Sequence, residues 1–158
     1  MEANTVKASS QRIVVGIDGI DLDHNPVLTA ALEHAWWSRA ELSLVHVLTA
    51  GLPFVDADAP AALAPRPARI QAVTVKLRQH LSEHLDDERP PTAVHLDVRY
   101  GDPATVLLMA AQQANLIVLG ARDPRRPDRR SPFTLGSVSQ DVATNATCAV
   151  LLVPTGLG

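Results

Sequence analysis

A chain of 158 residues suits one domain with a substantial core, and 46% hydrophobic against 20% charged residues is a globular balance that excludes a mostly disordered polypeptide. Aromatic residues make up only 3%, so the core must be aliphatic. A net charge of −3 provides no general attraction for nucleic acid or anionic lipid, and the single cysteine, Cys148, excludes an internal disulfide.

The opening residues MEANTVKASS carry no apolar signal core and read as a flexible tail, residues 1–10, before a single domain over 11–158. No stretch approaches the roughly 18 apolar residues of a membrane span. Cys148 lies among Ala149, Val150 and Leu151, which predicts a buried, reduced thiol. A cytoplasmic protein with no membrane and no nucleic-acid partner is the expectation.

Residues 12–17 (RIVVGI) form a β-branched run without polar alternation, as expected of a central strand covered on both faces. Asp18 and Gly19 end it. Pro26 is placed to open a helix over 26–39, with Val27, Leu28, Ala31, Leu32, Ala35 and Trp36 at helical spacing; Trp36 and Trp37 read as packing groups. A second strand follows over 42–48 (LSLVHVL). The Ala- and Pro-rich stretch 50–67 reads as a mobile loop and a candidate flap.

The spacing of Ile70, Val73, Leu77, Leu81 and Leu85 predicts a second helix over 69–87. Residues 93–99 (AVHLDVR) alternate, which fits a strand exposed on one face or near a sheet edge. Asp102 can cap a third helix whose first residue is Pro103 and whose buried face is Val106, Leu107, Ala110 and Ala114. Strand 4 is 116–119 (LIVL), a last helix begins near Gly136, and strand 5 is 148–153 (CAVLLV). This alternation predicts an α/β, doubly wound, open parallel five-stranded sheet with helices on both faces.

Ligands of such sheets sit beyond the carboxyl ends of the strands, where the strand order reverses. There Gly136-Ser137-Val138-Ser139 opens a helix, so backbone N–H groups, two hydroxyls and the helix dipole converge on one spot suited to phosphate. The same four residues also fit a simple turn with a serine cap. Asp21-Leu22-Asp23-His24-Asn25 imitates a calcium loop, but Pro26 and Leu32 occupy the positions that need Gly and Glu. His34, His46 and His80 have no HExxH spacing or nucleophile partner, and GxSxG, a full P-loop and CxxC are missing. No catalytic residue is assigned, and an enzyme is not expected.

Six blocks in order resemble the universal stress protein family: IVVGIDG (13–19), AALEHA (30–35), LSLVHV (42–47), GDPATVLLMAA (101–111), ANLIVLGAR (114–122) and LGSVSQDVATNATCAVLLVP (135–154). The resemblance implies the adenine nucleotide alpha hydrolase-like fold, homodimers paired through the strand 5 edge, and membership of either an ATP-binding or a nucleotide-free branch. For a binding member it implies that Asp18, with Gly19 beside it, faces the adenine, and that the Val47 backbone borders it. Gly120 and Arg122 would line the ribose and phosphate path, and Gly136, Ser137, Val138 and Ser139 would hold phosphate.

The sequence departs from the family's Gly-x2-Gly-x9-Gly-Ser/Thr pattern. Asp123 lies where the second glycine is due, and the fifteen residues between Gly120 and Gly136 contain no glycine. Pro124, Pro127 and Pro132 remove N–H donors, whereas Arg122, Arg125, Arg126, Arg129 and Arg130 add guanidinium groups able to grip phosphate. Two readings follow: a stress-response regulator that binds ATP, with magnesium, at the strand rim, and a nucleotide-free dimeric module that engages a protein partner yet to be identified.

Overall fold

A computed structural model describes residues 10–49, 64–121 and 135–155. Five strands, β1 (Arg12–Ile17), β2 (Glu41–Leu48), β3 (Val94–Tyr100), β4 (Leu116–Ala121) and β5 (Ala149–Pro154), form one sheet in the order β3-β2-β1-β4-β5. Every pairing is parallel, as the βα alternation demands. β1 lies at the centre, which explains its uninterrupted apolar run: Ile13, Val14, Val15 and Ile17 are all buried. β3 and β5 are the edges.

The alternation of side chains along each strand feeds two cores. On one face, α1 (Pro26–Ser38) and α2 (Arg66–His84) cover Ile13, Val15, Ile17, Leu42 and Leu44 with Val27, Leu28, Ala31, Leu77 and Leu81. On the other, α3 (Pro103–Ala111) and α4 (Ser137–Asn145) cover Val14, Val45, Ile117 and Leu119 with Ala104, Leu107, Ala111 and Val142. Gly16 sits where β1 meets this second core. A Cβ there would stand 2.6 Å from Leu119 Cδ2 and 2.9 Å from Leu107 Cδ2, so the position has no room for a side chain.

Local chemistry sets the helix ends. Asn25 accepts hydrogen bonds from the N–H groups of Val27 and Leu28, with Pro26 at the first helical position. At the other end Arg39 takes a left-handed φ of 52°, and the Arg39 and Ala40 N–H groups donate back to Trp36 and Ala35 carbonyls. Asp102 caps α3, as expected, by accepting from the Thr105 N–H and hydroxyl.

Four expectations need correction. α2 begins three residues before 69 and ends three before 87: Pro67, assigned to the loop, is tolerated in the first turn, where an N–H has no helical partner anyway. α3 stops at Ala111, so Ala114 reaches the second core from the following turn. Trp37 is 79% exposed and Trp36 is also exposed, because α1 meets the sheet through Val27, Leu28, Ala31 and Ala35 and turns both indoles outward. Cys148 precedes β5 and is only half-buried, although desolvation still pushes its thiol pKa up. Among the described residues no helix is long and apolar enough to cross a membrane. Of the tail expected over 1–10 and the flap expected over 50–67, residues 1–9 and 50–63 lie outside the described residues.

Candidate functional site

The chain leaves β1 for β2 on one side and later returns to place β4 on the other, so the strand order reverses between β1 and β4. Two helices therefore depart to opposite faces at that point and leave a crevice at the carboxyl ends. Register sets what meets there. Ile17 pairs with His46, which puts Asp18 level with Val47. β1 pairs with β4 at a constant offset, Val15 opposite Val118, and continuing it puts Ile17 level with Gly120. Asp18 and Gly19 are exposed, and Val47 and Gly120 are half-buried.

α4 starts on the same rim. Gly136 is its N-cap without a side-chain hydrogen bond, and its first intrahelical bond runs from the Gln140 N–H to the Gly136 carbonyl. The N–H groups of Ser137, Val138 and Ser139 precede that bond and point out of the helix start, where the partial positive charge of the dipole lies. The Ser139 hydroxyl, 7% exposed with its residue, donates to the Gly120 carbonyl at 2.8 Å. It ties α4 to the end of β4. Val138 packs its side chain against the second core, while Ser137 is exposed. Of the four residues assigned to phosphate, two commit their side chains to the fold, and the exposed hydroxyl is that of Ser137.

Two further residues complete the rim, Thr155, which sequence reasoning did not place there, and His46, which it placed at the strand 2 exit without a role. Thr155, just past β5, donates its hydroxyl to the Ala121 carbonyl at 2.6 Å. Its methyl lies 3.0 Å, and a Val27 methyl 3.3 Å, from where a Cβ on Gly120 would stand. A side chain at Gly120 would press on both methyls, so the position is tight whatever ligand approaches it. Only the β4–β5 register, Ala121 opposite Pro154, brings Thr155 here, and no pattern in the sequence gives that register. His46 did carry a signal as the polar residue in an apolar strand. It is buried, and its Nδ1 donates to the Ile17 carbonyl at 3.0 Å, immediately before Asp18.

The acids of the β1–α1 loop have structural partners. Asp21 accepts from the Asp23 N–H at 2.9 Å, and Asp23 pairs with His84. Among the described residues no group of three His, Cys, Asp or Glu side chains gathers as a metal site. Arg122, Asp123 and the other arginines and prolines of the β4–α4 connection lie outside the described residues.

Comparison with known proteins places this arrangement. A profile described as the universal stress protein family matches residues 9–154. Universal stress protein UspA from Lactobacillus plantarum superposes with a TM-score of 0.65 at 20% identity, covering 90% of this chain and 97% of that one. A universal stress protein solved in complex with cAMP gives 0.60 at 23% identity over 93% of this chain and 98% of the other. The universal stress protein from Archaeoglobus fulgidus in complex with dAMP gives 0.50 at 24% identity over 90% and 96%.

Proposed function

Because the chain belongs to the universal stress protein family, we propose that it is a cytoplasmic stress-response protein that binds an adenine nucleotide, ATP, at the carboxyl rim between β1 and β4. The observation that carries this reading is the α4 start: three outward N–H groups without a capping side chain, held against the end of β4 by Ser139. Asp18, level with Val47 and across from Gly120, would meet the adenine and ribose, and the Ser137 hydroxyl with the N–H groups of residues 137–139 would meet phosphate. Two structures of similar fold, named above, hold cAMP and dAMP, which supports an adenine ligand.

Magnesium fits as a passenger of the nucleotide. The donors on the described rim are one exposed carboxylate, Asp18, and hydroxyls, and Mg2+ is commonly held through one or two carboxylates, phosphate oxygens and water. The proposed role is binding, not catalysis: Asp18 has no described partner group arranged to activate water, and turnover of ATP is expected to be slow. Isothermal titration with ATP, ADP and cAMP tests the proposal. Saturable heat with ATP supports it, and no heat at millimolar nucleotide removes it.

A second reading is favoured by the β5 edge. Val150, Leu151, Leu152 and Val153 are all only half-buried on an edge strand whose free side offers unpaired backbone groups. A homodimer paired there would cover them, and such a dimer could act as an interaction module without nucleotide. Sedimentation of the purified chain tests the dimer. An absorbance ratio shifted towards 260 nm in that same preparation would count against an empty module.

A further inference from the structure

One histidine–carboxylate pair away from the crevice sets two acceptors against a single imidazole ring. His84, the last residue of α2, has a side chain 27% exposed. Its Nδ1 lies 2.7 Å from the His80 carbonyl oxygen, and its Nε2 lies 3.1 Å from Asp23 Oδ1. A carbonyl oxygen only accepts, and so does a carboxylate above about pH 5. Both contacts are hydrogen bonds only when both ring nitrogens carry a proton, as in the imidazolium. A neutral ring can keep one of the two bonds and must give up the other.

Asp23 sits in the loop that starts with Asp18 and Gly19 and ends at the Asn25 cap of α1. His24 takes a left-handed φ of 53°, a region that few non-glycine residues occupy, although histidine enters it more readily than most. Three things anchor the loop: Leu22 is 1% exposed in the first core, Asn25 caps α1, and Asp23 is tied to His84. The first two do not depend on pH in the neutral range, whereas the third does.

We infer that His84 is a protonation-dependent latch on the β1–α1 loop, closed on Asp23 as imidazolium and opened when the ring becomes neutral. The neutral ring carries one proton, so it can donate either to the His80 carbonyl or to Asp23, and only the protonated ring can hold both. Charged groups near the ring come from three segments: Asp23, in contact with it, from the loop, and Glu33 of α1 with Asp86 and Arg89 of the turn after α2, which line one groove with His84. Trp36 and Trp37 line the same groove and supply an optical reporter of the ring's charge. The consequence for ligand is that the segment bearing Asp18 is better ordered at low pH. That consequence rests on the nucleotide reading, and the latch itself does not.

Two measurements on the full chain test it. In the first, amide hydrogen exchange of residues 20–25, corrected for intrinsic rates, is followed from pH 5.5 to 8 in the wild type, Asp23→Ala and His84→Ala, with nitrogen shifts of the His84 ring recorded in parallel. Protection in the wild type should fall about two- to fivefold as pH rises, the size of an exposed-to-half-buried ion pair, and both variants should lose that trend. Equal trends in wild type and Asp23→Ala, or a ring with a single N–H at pH 5.5, overturn the latch; Asp23 is exposed, so its variant stays folded and keeps the comparison valid. In the second, ATP affinity is compared at pH 6 and 8. A decline in the wild type that Asp23→Ala abolishes extends the latch to the nucleotide. No ATP binding in any variant, with the exchange result intact, removes the nucleotide reading and leaves the latch.

Discussion

The two serines at the start of α4 should separate cleanly. Ser139 is buried and donates to the Gly120 carbonyl, so Ser139→Ala removes one neutral hydrogen bond and leaves that bond's acceptor unpaired within the fold. The net worth of such a bond is about 0.5–1.5 kcal/mol, and an orphaned acceptor raises the upper end towards about 2. With a urea m-value of about 2 kcal/mol/M, a loss of about 1–2 kcal/mol lowers the unfolding midpoint by about 0.5–1 M. Ser137 is exposed, and Ser137→Ala should move the midpoint by no more than about 0.25 M, in keeping with surface substitutions of about ±0.5 kcal/mol. Nucleotide affinity should reverse the order of interest: Ser137→Ala loses a direct phosphate bond, up to about tenfold, at unchanged stability. Urea titration monitored by circular dichroism, alongside calorimetry with ATP, reads both effects. If Ser139→Ala leaves the midpoint where it was, the tie between α4 and β4 is not what holds the helix start in place.

Gly16→Ala should destabilise by about 1–3 kcal/mol through overpacking against Leu119 and Leu107, lowering Tm by about 2–4 °C per kcal/mol for a chain of this size; trimming Leu107 to Ala in the same chain should cost less than the two single changes added, and strict additivity would contradict the clash. Arg39→Gly should stabilise by about 1 kcal/mol, since the left-handed φ that closes α1 suits glycine and the closing bonds are made by backbone; an unchanged or lower Tm would show that the arginine side chain contributes something the backbone geometry does not reveal. For Asp102, hydrogen bonds from the Thr105 hydroxyl and N–H hold the carboxyl pKa below its ordinary value. Its contribution is therefore present above the unfolded pKa of about 4 and lost as pH falls through the folded value, so the stability gap between wild type and Asp102→Asn should narrow as pH is lowered below about 4 in urea titrations.

The strands were legible because parallel strands covered on both faces cannot alternate: RIVVGI and LSLVHVL announce themselves as runs, and the alternation of β3 announced an edge. Helix interiors were legible from apolar residues spaced by three and four, and boundaries less so. Pro67 marks a loop in most contexts yet is accepted in the first turn of α2. The two tryptophans misled because indole is apolar enough to suggest burial wherever helical spacing allows, while the sheet had already filled that face of α1 with alanine, valine and leucine. At the rim, the backbone features could be read: a helix start, a strand end and an acidic residue after β1. The side-chain roles could not. Whether Ser139 points at a ligand or at Gly120 depends on the distance between α4 and β4, and whether Thr155 belongs to the rim depends on the register of β5, and neither is written in local sequence.

The rim is preorganised unevenly. Two successive carbonyls at the end of β4 are claimed from opposite flanks, Gly120 by Ser139 of α4 and Ala121 by Thr155 beyond β5, before any ligand arrives. A phosphate meeting the α4 start would thus pay little to order it, which is the condition under which a few N–H groups can hold an anion firmly. On the β1 side the Ile17 carbonyl is claimed by the buried His46 ring, but the residues beyond it are less firmly held. Asp18 and Gly19 are exposed, and the loop that follows them is anchored by one buried leucine, one cap and one histidine–carboxylate pair around the left-handed His24. Affinity that varies with conditions must draw on parts whose order varies, so in the nucleotide reading the α4 side sets the floor of binding and the β1–α1 loop sets its range.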